Sequence, residues 1–289
     1  MPTCFDLQAH STHSDGTLTA SEVVASAARA GVSLLALTDH DTVDGVAEAL
    51  RAGAEHGVRV VPAIEISAID AVSDADLHIL GYGIDHTSGE LERRLEEFRA
   101  DRAQRTLRMA AALRELGFEL PGQTLDARVR AGQPIGRPHL ATAVLACPAN
   151  RQRLHAEGIT ELGAFIEAHL IESRPAYVPR TVPSVEQAVN VIHDAGGVAV
   201  WAHPFRSYSD PAEVLATIDR LSALGVDGVE AFYISHTRTQ TELLAGRCAE
   251  LGLLSTGSAD FHGPENPRSH RFLAFETYGL EPNLGPIAA

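Results

Sequence analysis

Seven apolar segments of this chain, each with the length and composition of a β-strand, end in or close to a metal-type ligand. In chain order they are FDLQAH with His10, LALTDH with His40, VVPAIEIS with Glu65, DLHILGYG with His78, VAVWAH with His203, VEAFYISH with His236, and LLSTGSADFH with Asp260 and His262. A hydrophobic core does not need imidazoles and carboxylates in these places. Zn²⁺, Mn²⁺ and Fe²⁺ take neutral imidazole nitrogen and carboxylate oxygen from rigid supports. The repeated placement therefore predicts a polynuclear metal site and a metal-dependent hydrolase.

The segments between these strands predict amphipathic helices. A helix should begin at Thr19 or Ser21 and end before Gly31, and others should cover 43–56, 185–195, 211–224 and 238–251. Strands are expected at 5–9, 34–38, 58–67, 76–84, 197–202, 228–233 and 253–257. Buried strands that alternate with helices indicate parallel βα units. The predicted fold class is α/β, a distorted seven-stranded β/α barrel with its functional groups at the C-terminal ends of the strands.

Residues 89–181 interrupt this alternation. They begin with the charged helical stretch ELERRLEEFRADRAQRTLRMAAALREL, and further helices are expected at 125–131, 138–145 and 160–169. We predict that residues 1–88 and 182–289 form the barrel and that 89–181 form an α-helical insertion that caps it. The charged stretch is interpreted as a solvated helix face, with a basic partner surface as the alternative.

Composition limits the partners and the compartment. The net charge of −15 argues against a long nucleic acid duplex as a partner, since such binding needs a basic surface. No run of about 18–20 apolar residues predicts a membrane span. In the segment MPTCFDLQAH the first predicted strand begins without the basic and apolar residues of a signal peptide before it, so a cytoplasmic location is expected. The three cysteines have no paired spacing and predict neither a disulfide framework nor a thiolate metal site.

Six motifs together resemble one family. DLQAHSTHSDG, ALTDHDT, AIEIS, LHILGYG, AHP and SADFHG follow one another as in the PHP (polymerase and histidinol phosphatase) family of metal-dependent phosphoesterases. The helical insertion and the GRPH segment are similar to those of its TrpH-like branch, whose members act on nucleotide phosphates. The resemblance implies a distorted (β/α)₇ PHP barrel with two or three divalent ions, with Mn²⁺ expected and Zn²⁺ or Fe²⁺ as alternatives.

The resemblance also implies the metal ligands. They are His10, Asp15, His40, Glu65, His78, His203, Asp260 and His262, with Glu65 as a bridge between two ions. The sequence departs from the family at Gln8, where the first histidine of an opening His-x-His pair is usual. A neutral amide is a poor ligand for a transition metal, so two bound ions are the main expectation and three the alternative. Asp39 and Asp41 flank His40 and are predicted to orient it.

A second group of residues is suited to phosphate. In QPIGRPHLATAV, Pro138 fits the first turn of a helix, so that Gly136 and Arg137 lie where free backbone N–H groups favour an anion. Arg137 and the following His139 are predicted phosphate ligands, against the alternative of an ordinary helix start with an exposed arginine. Arg206 is a further candidate. His236 could hold phosphate, protonate the leaving oxygen, or be structural.

The leading functional hypothesis is a phosphatase for small nucleotides. The resemblance favours hydrolysis of the 3′-phosphate of a nucleoside 3′,5′-bisphosphate, which would convert the adenosine compound to AMP and phosphate. In the expected mechanism the ions activate a water that attacks phosphorus in line. One alternative is a 5′→3′ exonuclease on short RNA, which would use a groove of Arg102, Arg105, Arg108, Arg128 and Arg130. Histidinol phosphate hydrolysis and a non-catalytic metal- or nucleotide-binding module are weaker alternatives. No P-loop, dinucleotide fingerprint or G-x-S-x-G elbow is present in the sequence.

Overall fold

The computed structural model describes residues 4–73, 75–130, 135–179 and 183–289. The chain divides into two compact units, Met1–Leu95 with Pro183–Ala289 and Glu96–Val182. The predicted boundary at residues 181 and 182 lies outside the described residues. Among the helices that the structure describes, none combines the length and the apolar composition of a membrane span.

The first unit is built on one seven-stranded sheet in which the strands follow chain order. The strands are β1 (Phe5–Asp6), β2 (Leu34–Leu37), β3 (Arg59–Ile69), β4 (Asp76–Tyr82), β5 (Val198–Trp201), β6 (Gly228–Tyr233) and β7 (Leu254–Ser258). The sheet curls back on itself: the Leu7 N–H donates to the Gly257 carbonyl at 3.2 Å, and the His10 N–H to the Phe261 carbonyl at 2.8 Å. The predicted α/β class and the seven strands of the distorted barrel are confirmed.

Strand β4 corrects the prediction of parallel βα units. It pairs antiparallel with both β3 and β5, whereas the other neighbouring strands are parallel. The chain between Ile69 and Asp76 is too short for the crossover that two parallel strands require, so β3 and β4 form a hairpin. His78 therefore lies in the first half of its strand, opposite Ser67, and not at its C-terminal end. The reversal still brings it to the sheet edge where the parallel strands end.

Eleven helices are present in the described parts of the two units. They are α1 (Ala20–Arg29), α2 (Val46–His56), α3 (Gly89–Glu115), α4 (Gly122–Arg130), α5 (Arg137–Ala146), α6 (Arg151–Ala156), α7 (Leu162–His169), α8 (Val185–Asp194), α9 (Pro204–Ser207), α10 (Pro211–Ala223) and α11 (Arg238–Leu251). Thr19 caps α1 through a reciprocal pair of hydrogen bonds with Glu22, as the sequence predicts. Gly57 ends α2 at φ +69°, in the left-handed region that favours glycine. The short helices α6 and α9 were not predicted, because one or two turns carry too little periodicity.

The barrel core is formed by alternate residues of neighbouring strands. Leu34 and Ala36, Val61 and Ala63, Leu80 and Tyr82, and Val200 and Ala202 belong to one buried cluster, which Leu284 and Ile287 of the C-terminal segment also join. A different cluster joins the other face of β2 to α1 and α2. Because side chains alternate along a strand, Glu65 and His78 point to the same side as these core residues. The apolar core thus continues directly into the polar end of the barrel.

The second unit has its own apolar core. Met109, Leu113, Phe118, Leu140 and Phe165 are among its buried members. The Arg153 guanidinium lies 3.7 Å from the centre of the Phe118 ring. The buried Asn150 side chain accepts the Glu119 N–H and donates to the carbonyls of Glu119 and Val144, at 2.8–2.9 Å. These contacts explain how a segment with a charged first helix still forms a compact helical unit.

Tyr82 offers a test of the barrel core. Its hydroxyl is buried and donates to the Leu7 carbonyl at 2.9 Å, which joins β4 to the segment after β1. We expect Tyr82→Phe to lower the free energy of unfolding by about 1–3 kcal/mol, since it leaves a buried carbonyl without this donor. Urea denaturation followed by circular dichroism measures the loss. Tyr278→Phe is the matched control: its hydroxyl lies 3.4 Å from the His236 carbonyl at a partly exposed site. Equal losses in both variants would contradict the assignment.

Candidate metal centre

The structure brings all eight predicted metal ligands together in the first unit. Seven of them form three overlapping groups whose ligand atoms lie within 4.8 Å of one another: His10, Asp15, His40 and His262; His40, Glu65 and His78; and His10, Glu65 and Asp260. The eighth, His203, places Nε2 3.4 Å from Glu65 Oε1. The imidazoles form a row, with ring centres 4.2 Å apart for His262 and His10 and 4.8–5.1 Å apart for the next three pairs. Their assignment as ligands stays a prediction.

Glu65 lies at the middle of the cluster. Its Oε2 is 3.0 Å from His10 Nε2 and 3.6 Å from His40 Nδ1. Its Oε1 is hydrogen-bonded to His78 Nδ1 and also faces His203. The carboxylate is fully buried and is shared between two pairs of imidazoles, one pair at each oxygen. Each oxygen thus faces its own pair of imidazoles, and the role of Glu65 as a bridge between two ions stays a prediction.

Asp260 contributes one oxygen to the cluster and keeps the other occupied. Its Oδ1 lies 3.2 Å from His10 Nε2. Its Oδ2 accepts the Tyr233 hydroxyl at 2.8 Å and a guanidinium N–H of Arg206 at 3.0 Å. Two donors thus fix the carboxylate so that Oδ1 faces the imidazoles. Tyr233 was missed by the sequence interpretation; its place at the end of a predicted strand was the available signal.

His262 and Asp15 form the outer part of the cluster. His262 Nδ1 lies 2.7 Å from the Asp260 carbonyl, which can only accept, so Nδ1 donates this hydrogen bond and Nε2 is the nitrogen that carries the lone pair of the neutral ring. That Nε2 is 3.5 Å from Asp15 Oδ1, while Asp15 Oδ2 is 3.7 Å from His40 Nε2. A backbone acceptor that selects the tautomer of a histidine is typical of metal-binding imidazoles.

The donor set fits divalent cations. Four buried atoms of the cluster make no hydrogen bond within the described part of the chain: His10 Nε2, His40 Nδ1, His203 Nδ1 and Asp260 Oδ1. Burial of a polar atom without a hydrogen bond costs free energy, which a bound cation would recover. The ligands are imidazole nitrogens and carboxylate oxygens without a thiolate, as Mn²⁺, Fe²⁺ and Zn²⁺ accept. These residues therefore suit a cluster of such ions.

The charges on the side chains of the cluster are unevenly distributed. Burial lowers the pKa of His40 to about 3 and that of His203 to about 4, against the opposing effect of Glu65, so both imidazoles are neutral at pH 7. For His10, burial, which lowers its pKa, is outweighed by the Asp260 and Glu65 carboxylates, whose oxygens lie 3.2 and 3.0 Å from Nε2 and raise its pKa well above 6.5. For Glu65, burial is outweighed by His40, His78 and the other imidazoles, which lower its pKa well below 4.5. The two carboxylates beside His10 therefore favour a proton on this imidazole at neutral pH.

The loop that carries His10 and Asp15 is held by Asp39. Its Oδ1 accepts the Ser11 N–H at 2.8 Å and the Ser14 hydroxyl at 2.6 Å, and its Oδ2 accepts the Ser11 hydroxyl at 2.6 Å. Asp41 accepts the Ser67 N–H at 3.0 Å. The sequence predicts that both aspartates orient His40; these contacts add that Asp39 orders the neighbouring ligand loop.

Backbone strain is concentrated beside the cluster. Of the six non-glycine residues at positive φ in the described parts of the chain, Asp41 (+55°), His203 (+33°) and Asp260 (+51°) lie at or next to the predicted ligands. Each such conformation costs about 1–3 kcal/mol and persists only where surrounding contacts enforce it. Strain of this kind is typical of a functional site.

The predicted phosphate residues lie in both units. Arg206 is in the first, with its side chain 51% exposed while one nitrogen binds Asp260. Arg137 and His139 are partly exposed in the first turn of α5, in the second unit. His139 Nδ1 accepts the Gly136 N–H at 3.2 Å, so this N–H, which was expected to face an anion, already has a partner.

His236 is buried near the end of β6 and is neutral. Its Nδ1 lies 3.1 Å from the Ala231 carbonyl and must therefore donate, which leaves a lone pair on Nε2; this nitrogen has no hydrogen-bond partner within the described chain. Burial lowers the pKa of His236 to about 4. A neutral imidazole of this kind accepts a hydrogen bond or a proton at pH 7. To protonate the leaving oxygen, Nε2 would first have to take up a proton; this role of His236 stays a prediction.

Comparison with known proteins identifies the family. A PHP-domain model matches residues 6–142. A 3′,5′-nucleoside bisphosphate phosphatase from Chromobacterium violaceum is 32% identical over 262 residues, which cover 90% of this chain and 87% of that protein. A 5′-3′ exoribonuclease from Haemophilus influenzae is 31% identical over 90% of both chains.

A solved structure is similar over nearly the whole chain. An amidohydrolase from Chromobacterium violaceum, with sulfate bound and no metal, has a TM-score of 0.79 and 31% identity over 98% of this chain and 93% of that one. This chain belongs to the PHP-domain family. The predicted enzyme class, a metal-dependent phosphoric ester hydrolase, is confirmed by this membership and by the donor cluster.

The protonation of His10 predicts how metal affinity depends on pH. Its raised pKa means that a cation must displace a proton near neutral pH, so binding weakens as the pH falls. We expect the affinity for Mn²⁺ to rise by up to about tenfold per pH unit between roughly pH 6 and 8, the slope for release of one proton. Isothermal titration calorimetry in buffers of different ionisation enthalpy measures the protons released. Affinity independent of pH, with no proton released, would rule out a protonated His10.

Proposed function

We propose that this protein is a phosphatase that removes the 3′-phosphate of a nucleoside 3′,5′-bisphosphate and leaves a nucleoside 5′-monophosphate. The observation that carries the proposal is the buried cluster around Glu65, in which imidazole and carboxylate atoms converge at the end of the barrel. The substrate class is supported by 32% identity over 90% of this chain to a relative named 3′,5′-nucleoside bisphosphate phosphatase.

The proposed cofactors are two or three divalent ions, with Mn²⁺ first and Zn²⁺ or Fe²⁺ as alternatives. When bound, such ions activate water for attack on phosphorus and neutralise charge on the phosphate oxygens. Glu65 would be shared by two of them, with His10, Asp15, His40, His78, His203, Asp260 and His262 completing the ligand set. Nitrogen and oxygen ligands in this mixture do not by themselves select one of these metals.

Separate residues would bind the phosphate group. Arg206 has one nitrogen on Asp260 and a half-exposed side chain, so it can both orient this ligand and offer donors to phosphate. Arg137 and His139 are proposed to bind a phosphate group of the substrate. His236 would accept a hydrogen bond from the substrate through Nε2, because that nitrogen has a lone pair and no partner among the described residues. The helical segment 89–181 is proposed to provide substrate specificity as a cap.

A 5′→3′ exonuclease acting on short RNA is the second candidate, and the relative from Haemophilus influenzae favours it. It would need an exposed basic track for the RNA backbone. Two arginines proposed for that track, Arg102 and Arg105, are only 8% and 4% exposed. Arg105 donates to the Val178 carbonyl at 2.6 Å and lies 5.6 Å from the centre of the Tyr177 ring. The burial of both side chains and the contacts of Arg105 within the second unit weaken the case for RNA. We propose a cytoplasmic location for either activity.

A direct assay separates the two candidates. We expect Mn²⁺-dependent release of phosphate from adenosine 3′,5′-bisphosphate, with AMP as the nucleotide product, loss of activity with a chelator, and recovery when Mn²⁺ is returned. A 5′-phosphorylated RNA of a few nucleotides and histidinol phosphate are assayed beside it, with products resolved by chromatography. Mononucleotides from RNA without phosphate release from the bisphosphate would favour the exonuclease instead.

His78→Ala tests the metal cluster itself. The substitution removes the imidazole bonded to Glu65 Oε1, so we expect kcat to fall by roughly 100-fold or more while the fold is retained. His56→Ala, at the exposed end of α2, is the control and should leave kcat unchanged. Retained nucleotide affinity without turnover in the wild-type protein would point instead to a non-catalytic binding module.

Arg137→Ala tests the proposed phosphate contact. A hydrogen bond to a charged group is worth about 1.5–3 kcal/mol, so we expect KM for the bisphosphate to rise roughly 10- to 100-fold with a smaller change in kcat. Arg137→Lys should recover part of the loss. Arg151→Ala removes an exposed arginine from the first turn of α6 and serves as the control. If Arg137→Ala behaves like Arg151→Ala, residue 137 is an ordinary helix start.

A further inference from the structure

Gln8 stands where the family pattern has a histidine, and its side chain has a defined place in the structure. It is fully buried. Its Nε2 donates to Glu65 Oε2 at 2.9 Å, and its Oε1 lies 3.2 Å from the Ser258 hydroxyl. An amide nitrogen has no lone pair to offer a cation, and the amide oxygen already faces a hydroxyl donor. Gln8 is therefore engaged at both ends by protein groups.

The contacts of Gln8 continue into a buried circuit. The Ser258 hydroxyl also meets Glu230 Oε1, and Glu230 Oε2 accepts the backbone N–H of His203 at 2.8 Å. Glu65, Gln8, Ser258 and Glu230 are 0% exposed, and His203 is 4% exposed. The circuit runs from the carboxylate at the middle of the cluster, through residues of β6 and β7, to the backbone of another predicted ligand. It contains no solvent-exposed member.

The amide of Gln8 decides how the Glu65 carboxylate is turned. A carboxylate can rotate about its last side-chain bond, and the two oxygens of Glu65 face different pairs of imidazoles. The Gln8 amide N–H donates to Oε2 at 2.9 Å and so fixes the plane of the carboxylate, in which each oxygen faces its own pair of imidazoles. Because a carboxylate only accepts hydrogen bonds, the amide nitrogen of Gln8 and not its oxygen faces Glu65, while the Ser258 hydroxyl lies 3.2 Å from the amide oxygen.

We propose that Gln8 is a positioning residue, which holds the Glu65 carboxylate in the orientation that serves two ions and is itself not a metal ligand. The proposal rests on the metal chemistry of the proposed function and adds a role for the Gln8–Ser258–Glu230 circuit. Groups that orient metal ligands are worth about 10- to 100-fold in metal affinity. Loss of Gln8 should thus change how tightly ions bind and leave their number unchanged.

Titration of the purified, metal-free protein with Mn²⁺, with free Mn²⁺ counted by electron paramagnetic resonance, gives both the number of ions and their Kd. Gln8→Leu is expected to weaken binding by about 10- to 100-fold without loss of an ion. The Ser258 hydroxyl contacts Gln8 and Glu230, which are not among the eight predicted ligands. Ser258→Ala should therefore also weaken Mn²⁺ binding, by a smaller factor than Gln8→Leu. Ser258→Thr keeps a hydroxyl and should restore the affinity. Thr256→Val, at another buried hydroxyl of β7 outside the circuit, should bind as the wild type does.

Two results would overturn the proposal. Loss of one ion in Gln8→Leu, with Ser258→Ala unchanged, would make Gln8 a ligand through its oxygen. Wild-type Kd values in both Ser258→Ala and Gln8→Leu would mean that the circuit only fills space and does not orient the Glu65 carboxylate. If Gln8→Leu does not fold, as thermal unfolding of the metal-free protein would reveal, the Ser258 pair and the Thr256 control decide alone. No substrate is used, so failure of the proposed phosphatase activity would appear in the nucleotide assay and not here.

Discussion

The structure depends on one buried charge. Glu65 is a fully buried carboxylate surrounded by four imidazoles, and its pKa is well below the usual value because those rings favour the ionised form over the effect of burial. A lone carboxylate in this place would be very costly, since transfer of an isolated ion into a protein interior is strongly unfavourable. The buried charge is stabilised by the imidazoles at the strand ends, by the loop that carries His10 and Asp15, and by the hydrogen bonds that support them. The same donor atoms suit divalent cations.

The barrel supplies that environment through rigid neighbours. The sides of β3 and β4 that carry Glu65 and His78 also carry the apolar core, so the carboxylate is held by packed strands and not by a mobile loop. The antiparallel β4 is needed for this arrangement, because it brings His78 to the edge at which the parallel strands end. Positive φ values at His203 and Asp260 turn these residues at the ends of β5 and β7 toward the cluster. Local strain at these positions is offset by the stability of the surrounding sheet.

Most of the secondary structure could be predicted because the local signals agree with one another. The capping residue Thr19, the stop at Gly57 and the apolar runs of β2 and β6 each mark an element where the structure has it. The direction of β4 was predicted wrongly, since an apolar run reads the same for parallel and antiparallel strands. The shortness of the link before Asp76 was the signal against a crossover.

The sequence by itself determined the chemistry of this protein: which side chains can bind a cation, and that they lie near the ends of strands, since these depend on residue type and local periodicity. Only the tertiary structure decided how they are used. Three sets of contacts join residues far apart in the chain. They are the row of imidazoles beside Glu65, the hydrogen bonds of Tyr233 and Arg206 to Asp260, and the hydrogen bond that Gln8 donates to Glu65. Such contacts depend on how strands pack and which tautomer or amide orientation their neighbours select, and no local pattern encodes either.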